Sequence, residues 1–341
     1  MKTKETIQKD QTISAFWRRS LAFVIDLIIL GLIGIALGTA LESQLAILGE
    51  SGPLIGFVIT VLYFGILDSY VGKGQSVGDK LLRICVVNKN GEFITLARSF
   101  ARAAILAIPI CLNELYLPML PAFVQLIIGL LFFSISVAVI YFYLFNRNTR
   151  QGFHDIVTKV FVVKANRVKE PIRAIIGQAH FVICSLLVMV VLCGGGYVIY
   201  LQHQPANVEM MTMLTGLQAE LAKIEGVDTT GVYVGNQVQS NNGNTIQNMN
   251  VTVYTHDPKL DLKVMEDNII NIVLEKYPLA SHTKEIQVRI FYGYNIGIAK
   301  KYQTHVTAFS PANLERRGHA IENTVFSPPY IYHNRISLTI Q

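Results

Sequence analysis

Two arginines, three aspartates and one histidine sit where the chain enters or leaves its apolar runs. These are the side chains that could do chemistry. Arg19 and Asp26 open the first run, Asp68 closes the second, Arg102 precedes the third, and His154 and Asp155 follow the fourth. A carboxylate held as an anion in hydrocarbon costs about 2.5 kcal/mol or more, so Asp26 must face other helices and find a partner or keep a proton. Residues 19 and 26 share one helix face, about 10.5 Å apart along the axis, too far for an easy direct ion pair. Arg19 is long enough to snorkel to lipid phosphate, and Asp26 is not. Two uses follow for a cluster of Arg19, Asp26, Asp68, Arg102, His154 and Asp155. In one, Asp26 exchanges a proton or cation and the arginines tune it. In the other, the cluster pins the loops to the helix ends. The second is favoured because no charged residue falls near the middle of a run, where transporter sites usually lie. Asp26 is only about two turns deep, and the deep polar residues elsewhere are Ser134 and Ser136.

The elements that must position these groups are membrane helices. The chain is 51 % apolar and only 15 % charged, with a mean hydropathy of +0.40. Its net charge of +6 belongs to the first 202 residues, which hold 18 basic and 11 acidic side chains; the remainder holds 11 and 12. That pattern suits loops beside lipid rather than a nucleic-acid surface. Cys85, Cys111, Cys184 and Cys193 all lie in the apolar part, with neither a disulfide framework nor zinc spacing. The pair Arg18-Arg19 resembles a twin-arginine export signal, but further apolar runs follow it, and no cleaved leader is expected.

Five runs approach the roughly 20 residues a span needs: 20–41, 53–70, 103–117, 122–145 and 178–201. The third is weak, broken by Pro109 and ending in Asn113 and Glu114. Residues 1–19, 71–102 and 146–177 are rich in Lys and Arg, whereas 42–52 and 113–121 carry only Glu42, Glu50 and Glu114. Under the positive-inside rule the basic segments face the cytoplasm. The third run must then cross, or dip deeply and return. The N-terminus is expected inside and the C-terminal part outside. Residues 84–87 and 93–96 around Asn90-Gly91 read as a small cytoplasmic β-hairpin, with 160–164 as a candidate third strand.

Three motifs now carry a family resemblance: Arg19-x-x-Ala22-x-x-x-Asp26; Gly74-Gln75-Ser76-Val77-Gly78-x-Lys80-Leu81-Leu82, followed by Asn90-Gly91 and Arg102; and Gly152-Phe153-His154-Asp155, followed by Val162-Val163. In order and spacing they resemble the RDD family of bacterial integral membrane proteins, over about residues 13–165. The family's one arginine and two aspartates fall on Arg19, Asp26 and Asp155. Asp79 departs from the pattern, standing where the family more often has a basic residue. The resemblance implies a bacterial inner-membrane protein, with ion or proton transport associated with a few members.

Beyond the fifth run the composition turns polar. Residues 208–225 and 262–277 read as helices; 232–238, 249–255, 285–292 and 304–309 read as strands, with the tail after Pro311 as loop and Pro328-Pro329 as a turn. The order αββαββ suggests a helix pair on an antiparallel sheet. Gly34 and Gly38 form a GxxxG pair, and Gly194-Gly195-Gly196 lies in the fifth run. The histidines lack metal spacing, and no nucleophile-elbow, zincin or phosphate-loop motif occurs. The expectation is an α-helical multi-pass bundle of about five spans with an extracytoplasmic two-layer α+β domain. Its parts are an RDD-like domain over 1–177, a fifth helix over 178–202 and the outer domain over 203–341. The expected function is a non-enzymatic scaffold or sensor with no cofactor or metal, whose partners are the bilayer and a second copy or another membrane protein. The alternative is an ion (Na⁺/H⁺-type) or small-solute transporter with Asp26 as the exchanging carboxylate.

Overall fold

The computed structural model describes residues 13–117, 120–167, 171–172, 176–202, 204–238, 245–257, 259–311 and 335–340. Helices α1 (Phe16–Ala40), α2 (Glu42–Ile47), α3 (Pro53–Leu67), α4 (Val77–Leu82), α5 (Leu96–Ala107), α6 (Ala122–Phe145), α7 (Phe153–Val157) and α8 (Gln178–Gln202) build the apolar half. Four helical stretches are long and apolar enough to cross a membrane: Phe16–Ala40, Gly49–Leu67, Phe123–Phe145 and Gln178–Leu201. Leu21, Val24, Ile28 and Leu32 on α1 and Val182, Leu186 and Val190 on α8 are exposed, as lipid-facing positions should be.

The third predicted run is different. It begins earlier, at Leu96, because Thr95 caps α5 by accepting the amide of Arg98 (3.4 Å). Ser99, Arg102, Ala103, Leu106 and Ala107 form its buried stripe. Pro109 has no N–H to continue the ladder, and the chain passes into a π-helical turn over Ile108–Leu112. A broken, amphipathic helix survives here because neighbouring helices cover its polar face.

The expected β-hairpin around Asn90-Gly91 is corrected. Strand β1 (Ile84–Asn88) pairs antiparallel with β2 (Val160–Lys164), from Ile84 opposite Lys164 to Asn88 opposite Val160. Residues 93–96 do not return along β1. Ile94 makes a single parallel bridge to Ser69, and Thr95 is already a helix cap. The β1–β2 ribbon and α4 close one end of the bundle, hereafter the cap end.

The C-terminal part contains α9 (Pro205–Leu221), β3 (Thr229–Val238), β4 (Thr245–Thr255), α10 (Leu262–Lys276), β5 (Glu285–Asn295), β6 (Ala299–Phe309) and β7 (Arg335–Ile340). The sheet order is β3-β4-β5-β6-β7. Its core joins Leu217 and Leu221 of α9 and Met265, Ile269 and Val273 of α10 to Met249, Val251 and Val253 of β4 and Ile286, Val288 and Ile290 of β5. The sheet is mixed rather than antiparallel: β4 and β5 run parallel, because α10 crosses over between them. A fifth strand, β7, lies in the tail read from sequence as loop. Pro328-Pro329 falls outside the described residues.

Candidate functional site

Five of the six polar residues singled out from sequence, Arg19, Asp68, Arg102, His154 and Asp155, meet at the cap end, and Asp26 is held separately beside them. The buried stripe of α1 (Arg19, Ala22, Asp26, Leu30, Gly34, Gly38) carries two of the six. Asp68 is the C-cap of α3, Arg102 lies on the buried stripe of α5, and His154 and Asp155 sit in α7. Asp155 is fully buried and accepts from Arg19 Nη2 (2.6 Å), Arg102 Nε (2.8 Å) and the amide of Gly152 (3.1 Å). Arg102 Nη1 donates to Asp68 Oδ2 (2.5 Å). Four helices are thus tied by one chain of ion pairs, Asp68–Arg102–Asp155–Arg19. Burial alone would raise the Asp155 carboxyl, but the guanidiniums of Arg102 and Arg19 hold it well below the usual carboxylate range. Burial lowers His154 to about 3 against the pull of Asp155, so its imidazole is neutral. Arg19 does not reach for lipid phosphate. It is 7 % exposed and turned inward, with its guanidinium also 5.6 Å from the ring centre of Tyr143.

Asp26 stands apart from the arginines. Its Oδ1 accepts from the Tyr63 hydroxyl (2.6 Å) and the Gly78 amide (2.8 Å), and its Oδ2 from the Ser76 hydroxyl (2.6 Å). Both oxygens are engaged, and two of the three donors belong to the start of α4. Ser76 also caps that helix by accepting the amide of Asp79 (3.1 Å). Asp26 therefore fastens α4 to the first helix. Gly78 must be small here, since a Cβ would lie 2.1 Å from the Ala22 carbonyl. The motif around Gly74 to Gly78 was read from sequence as a family mark; its role as the receptor for Asp26 was not. An Ser-x-x-Asp cap opposite a lone span carboxylate is the signal that pointed there.

A second polar and apolar constellation lies at the other end and was not foreseen. The β5–β6 turn is apolar: Tyr294, Ile296, Ile298 and Ala299 are each at most 2 % exposed, packed with Leu30, Leu45, Phe64, Cys111 and Leu112 of the helices. The turn closes on Gly297, in the left-handed region at φ +80°. Helix glycines make the room. A Cβ at Gly38 would overlap the Tyr294 hydroxyl, and one at Gly56 would lie 1.9 Å from the carbonyl oxygen of Ile296. The Gly34–Gly38 pair thus receives a hairpin, not another helix. Of the other glycines, a Cβ at Gly195 would meet Leu130 of α6, and Gly194 and Gly196 face open space. Charges ring this contact. Asn295 donates to Glu114 (2.9 Å), Lys300 to Glu114 (3.4 Å) and Lys301 to Glu42 (2.7 Å). A hairpin turn of sequence Asn295-Ile296-Gly297-Ile298 has no reason to be apolar unless it is covered, and that was the available signal.

Among the described residues no three His, Cys, Asp or Glu side chains are grouped to hold a metal ion. Residues 13–159 match the family model described as the RDD family. No curated protein matches the chain.

Proposed function

We propose, taking residues 13–159 as a domain of the RDD family, that the chain is a non-enzymatic membrane scaffold or sensor. In this reading the membrane half is a mount that holds the C-terminal α+β unit in one orientation. The observation that carries it is the β5–β6 tip, buried among α1, α3 and the π-turn and ringed by Glu42 and Glu114. A unit merely tethered by α8 would need none of these contacts. One stripe of α1 carries both ends of the device. Gly34 and Gly38 take the tip, and Arg19 and Asp26 hold the cap. Displacement of the tip is thereby coupled to the cap through a single rigid helix.

The orientation proposed is the one charge dictates, with the cap in the cytoplasm of a bacterial cell and the sheet outside. Support comes from the alternation of the segments. Asp68 and Asp155 follow α3 and α6 at the cap end, while Glu42 and Glu114 follow α1 and the π-turn at the hairpin end. The test is amide exchange on the purified full chain. Gly56→Ala is expected to speed exchange both in the hairpin and in residues 76–88. Faster exchange in the hairpin with an unchanged cap refutes the coupling.

A second reading, an ion (Na⁺/H⁺-type) or small-solute transporter, rests on Asp26 facing a cavity. It weighs less because both Asp26 oxygens are already satisfied by protein donors. Proteoliposome flux of Na⁺, K⁺ or H⁺ in wild type, lost in a folded Asp26→Asn variant, would replace the scaffold reading.

A further inference from the structure

A cavity of ≈ 320 Å³ lies between α1, α5 and α6, on the membrane side of the ion-pair network. Its floor is polar, formed by Arg19, Asp26, Asp68, Asp79, Arg102 and His154. Its walls are apolar, with Phe23, Leu106, Ile110, Ile140 and Leu144 among them. Ile140 and Leu144 are 55 % and 49 % exposed on the outside of the bundle, so the mouth opens where lipid chains lie.

The floor is unfinished. Asp68 is 2 % exposed; Arg102 takes its Oδ2, and its Oδ1 has no hydrogen-bond partner. His154 is 3 % exposed, with Nε2 3.3 Å from Asp155 Oδ1 and Nδ1 unpartnered. Among the described residues, no donor reaches the Asp79 carboxylate; only its backbone amide is used. Two of the three open groups are carboxyls, Asp68 and Asp79. Counting Asp155 behind the floor, four carboxyl groups face two guanidiniums. Burial and the neighbouring carboxylates raise Asp79 well above the usual range and Asp68 to about 6, so the floor by itself keeps protons that an incoming cation would displace. The missing species is a cationic donor. A bare metal ion fits poorly, since no metal-holding group is present among the described residues. At about 30 Å³ per water the space holds roughly ten waters, far more than one ion.

We propose that this cavity binds an amphiphile with a protonated amine head, its ammonium on Asp68 and Asp79 and its apolar body along α5 and α6. Such a split, with a few placed polar groups in an apolar chamber, is the usual design of a small-molecule site. Charge-assisted N⁺–H···O⁻ bonds would supply the specificity. The amine can come from the headgroup of an aminophospholipid or from a free long-chain amine.

The experiment uses the purified full chain and titrates decylammonium, decanol and decyl sulfate into wild type and Asp79→Asn. The Asp79 carboxylate takes no hydrogen bond among the described residues, and its amide still caps α4, so the variant should fold. Wild type is expected to bind decylammonium at least tenfold more tightly than decanol, and Asp79→Asn to lose that preference. Ile140→Trp, which narrows the mouth from the lipid side, should weaken decylammonium as well and serves if Asp79→Asn fails to accumulate. Equal affinity for all three amphiphiles, or an unchanged preference in both variants, overturns the proposal. The source is read by native mass spectrometry from bilayer discs containing phosphatidylethanolamine and phosphatidylglycerol. Retention of the amine lipid by wild type but not by Asp79→Asn identifies a lipid headgroup. Decylammonium binding without retained lipid identifies a free amine.

Discussion

Replacing Asp155 by asparagine removes the charge at the junction of four helices. The carboxylate is fully buried and takes hydrogen bonds from Arg19, Arg102 and the Gly152 amide. Asparagine keeps one acceptor oxygen and turns an NH₂ group towards a guanidinium. Both arginines stay buried, at 7 % and 6 % exposure, with Asp68 as the neighbouring counter-charge. Removing one partner of a buried ion pair costs about 3–5 kcal/mol. Arg19 loses its counter-charge outright while Arg102 keeps Asp68, so a loss within that range applies. Asp26→Asn provides the internal comparison. Its Oδ1 can still accept from Tyr63 and Gly78, and the new amide can donate to the Ser76 hydroxyl, which rotates to accept. That exchange costs about 1 kcal/mol. The assay is thermal unfolding in detergent, followed by the fraction of monodisperse protein after heating. The expected order is wild type, then Asp26→Asn slightly below it, then Asp155→Asn far below or failing to accumulate. Equal losses for the two variants would refute the assignment of Asp155 as the hub.

Other outcomes follow from the same geometry. Gly56→Ala places a Cβ 1.9 Å from the Ile296 carbonyl, and overpacking against backbone should cost about 1–3 kcal/mol, read as a lower melting temperature together with protease access to the β5–β6 turn. Lys301→Ala removes a partly exposed pair with Glu42 and should cost under about 1 kcal/mol, so a large loss there would mean that charge rather than the apolar tip holds the hairpin. The folded pKa of His154 is depressed from 6.5 to about 3, so the unfolded chain binds the extra proton between those values and the contribution of His154 falls as pH falls below 6.5. The stability difference between wild type and His154→Gln should therefore shift against wild type by up to about 1.4 kcal/mol per pH unit between pH 6 and 4, and a difference independent of pH would show that the imidazole is not buried neutral. A reporter fused after residue 202 should be active outside the cytoplasm, and a cytoplasmic signal there would overturn the orientation.

Much of the architecture was legible because lipid imposes a coarse rule. Twenty apolar residues and the placement of Lys and Arg located α1, α3, α6 and α8, and period-two alternation located β3 to β6. The site was legible for a related reason: a charge beside hydrocarbon has to meet a counter-charge, so Arg19, Asp68, Arg102 and Asp155 pointed to one another. The failures came where local sequence and tertiary context competed. Asn90-Gly91 is a strong hairpin signal, yet β1 found its partner some seventy residues later in β2, while Ile94 and Thr95 were drawn to Ser69 and to the cap of α5. Arg19 was allowed to snorkel because its partner, Asp155, is 136 residues away. The buried hairpin tip escaped notice because Tyr294 and Ile296 read as ordinary strand residues until the helix glycines that accommodate them are in view.

The central claim is that the β5–β6 tip sits inside the helix bundle. A Cβ on residue 297 would lie 3.0 Å from that of Cys111, so an outward shift of about half an ångström reaches disulfide geometry. The left-handed φ of +80° costs a cysteine about 1–2 kcal/mol there, less than the packing of the four buried tip residues supplies. In native membranes, Gly297→Cys in a chain keeping Cys111 but with Cys85, Cys184 and Cys193 changed to serine should form a bond under mild oxidation. That bond would hold the two fragments together after cleavage at a protease site inserted after residue 204. Restoring the exposed Cys193 in place of Cys111 is the control. Cross-linking that requires Cys111 is the predicted result; fragments that separate, or that link equally through Cys193, would contradict the account.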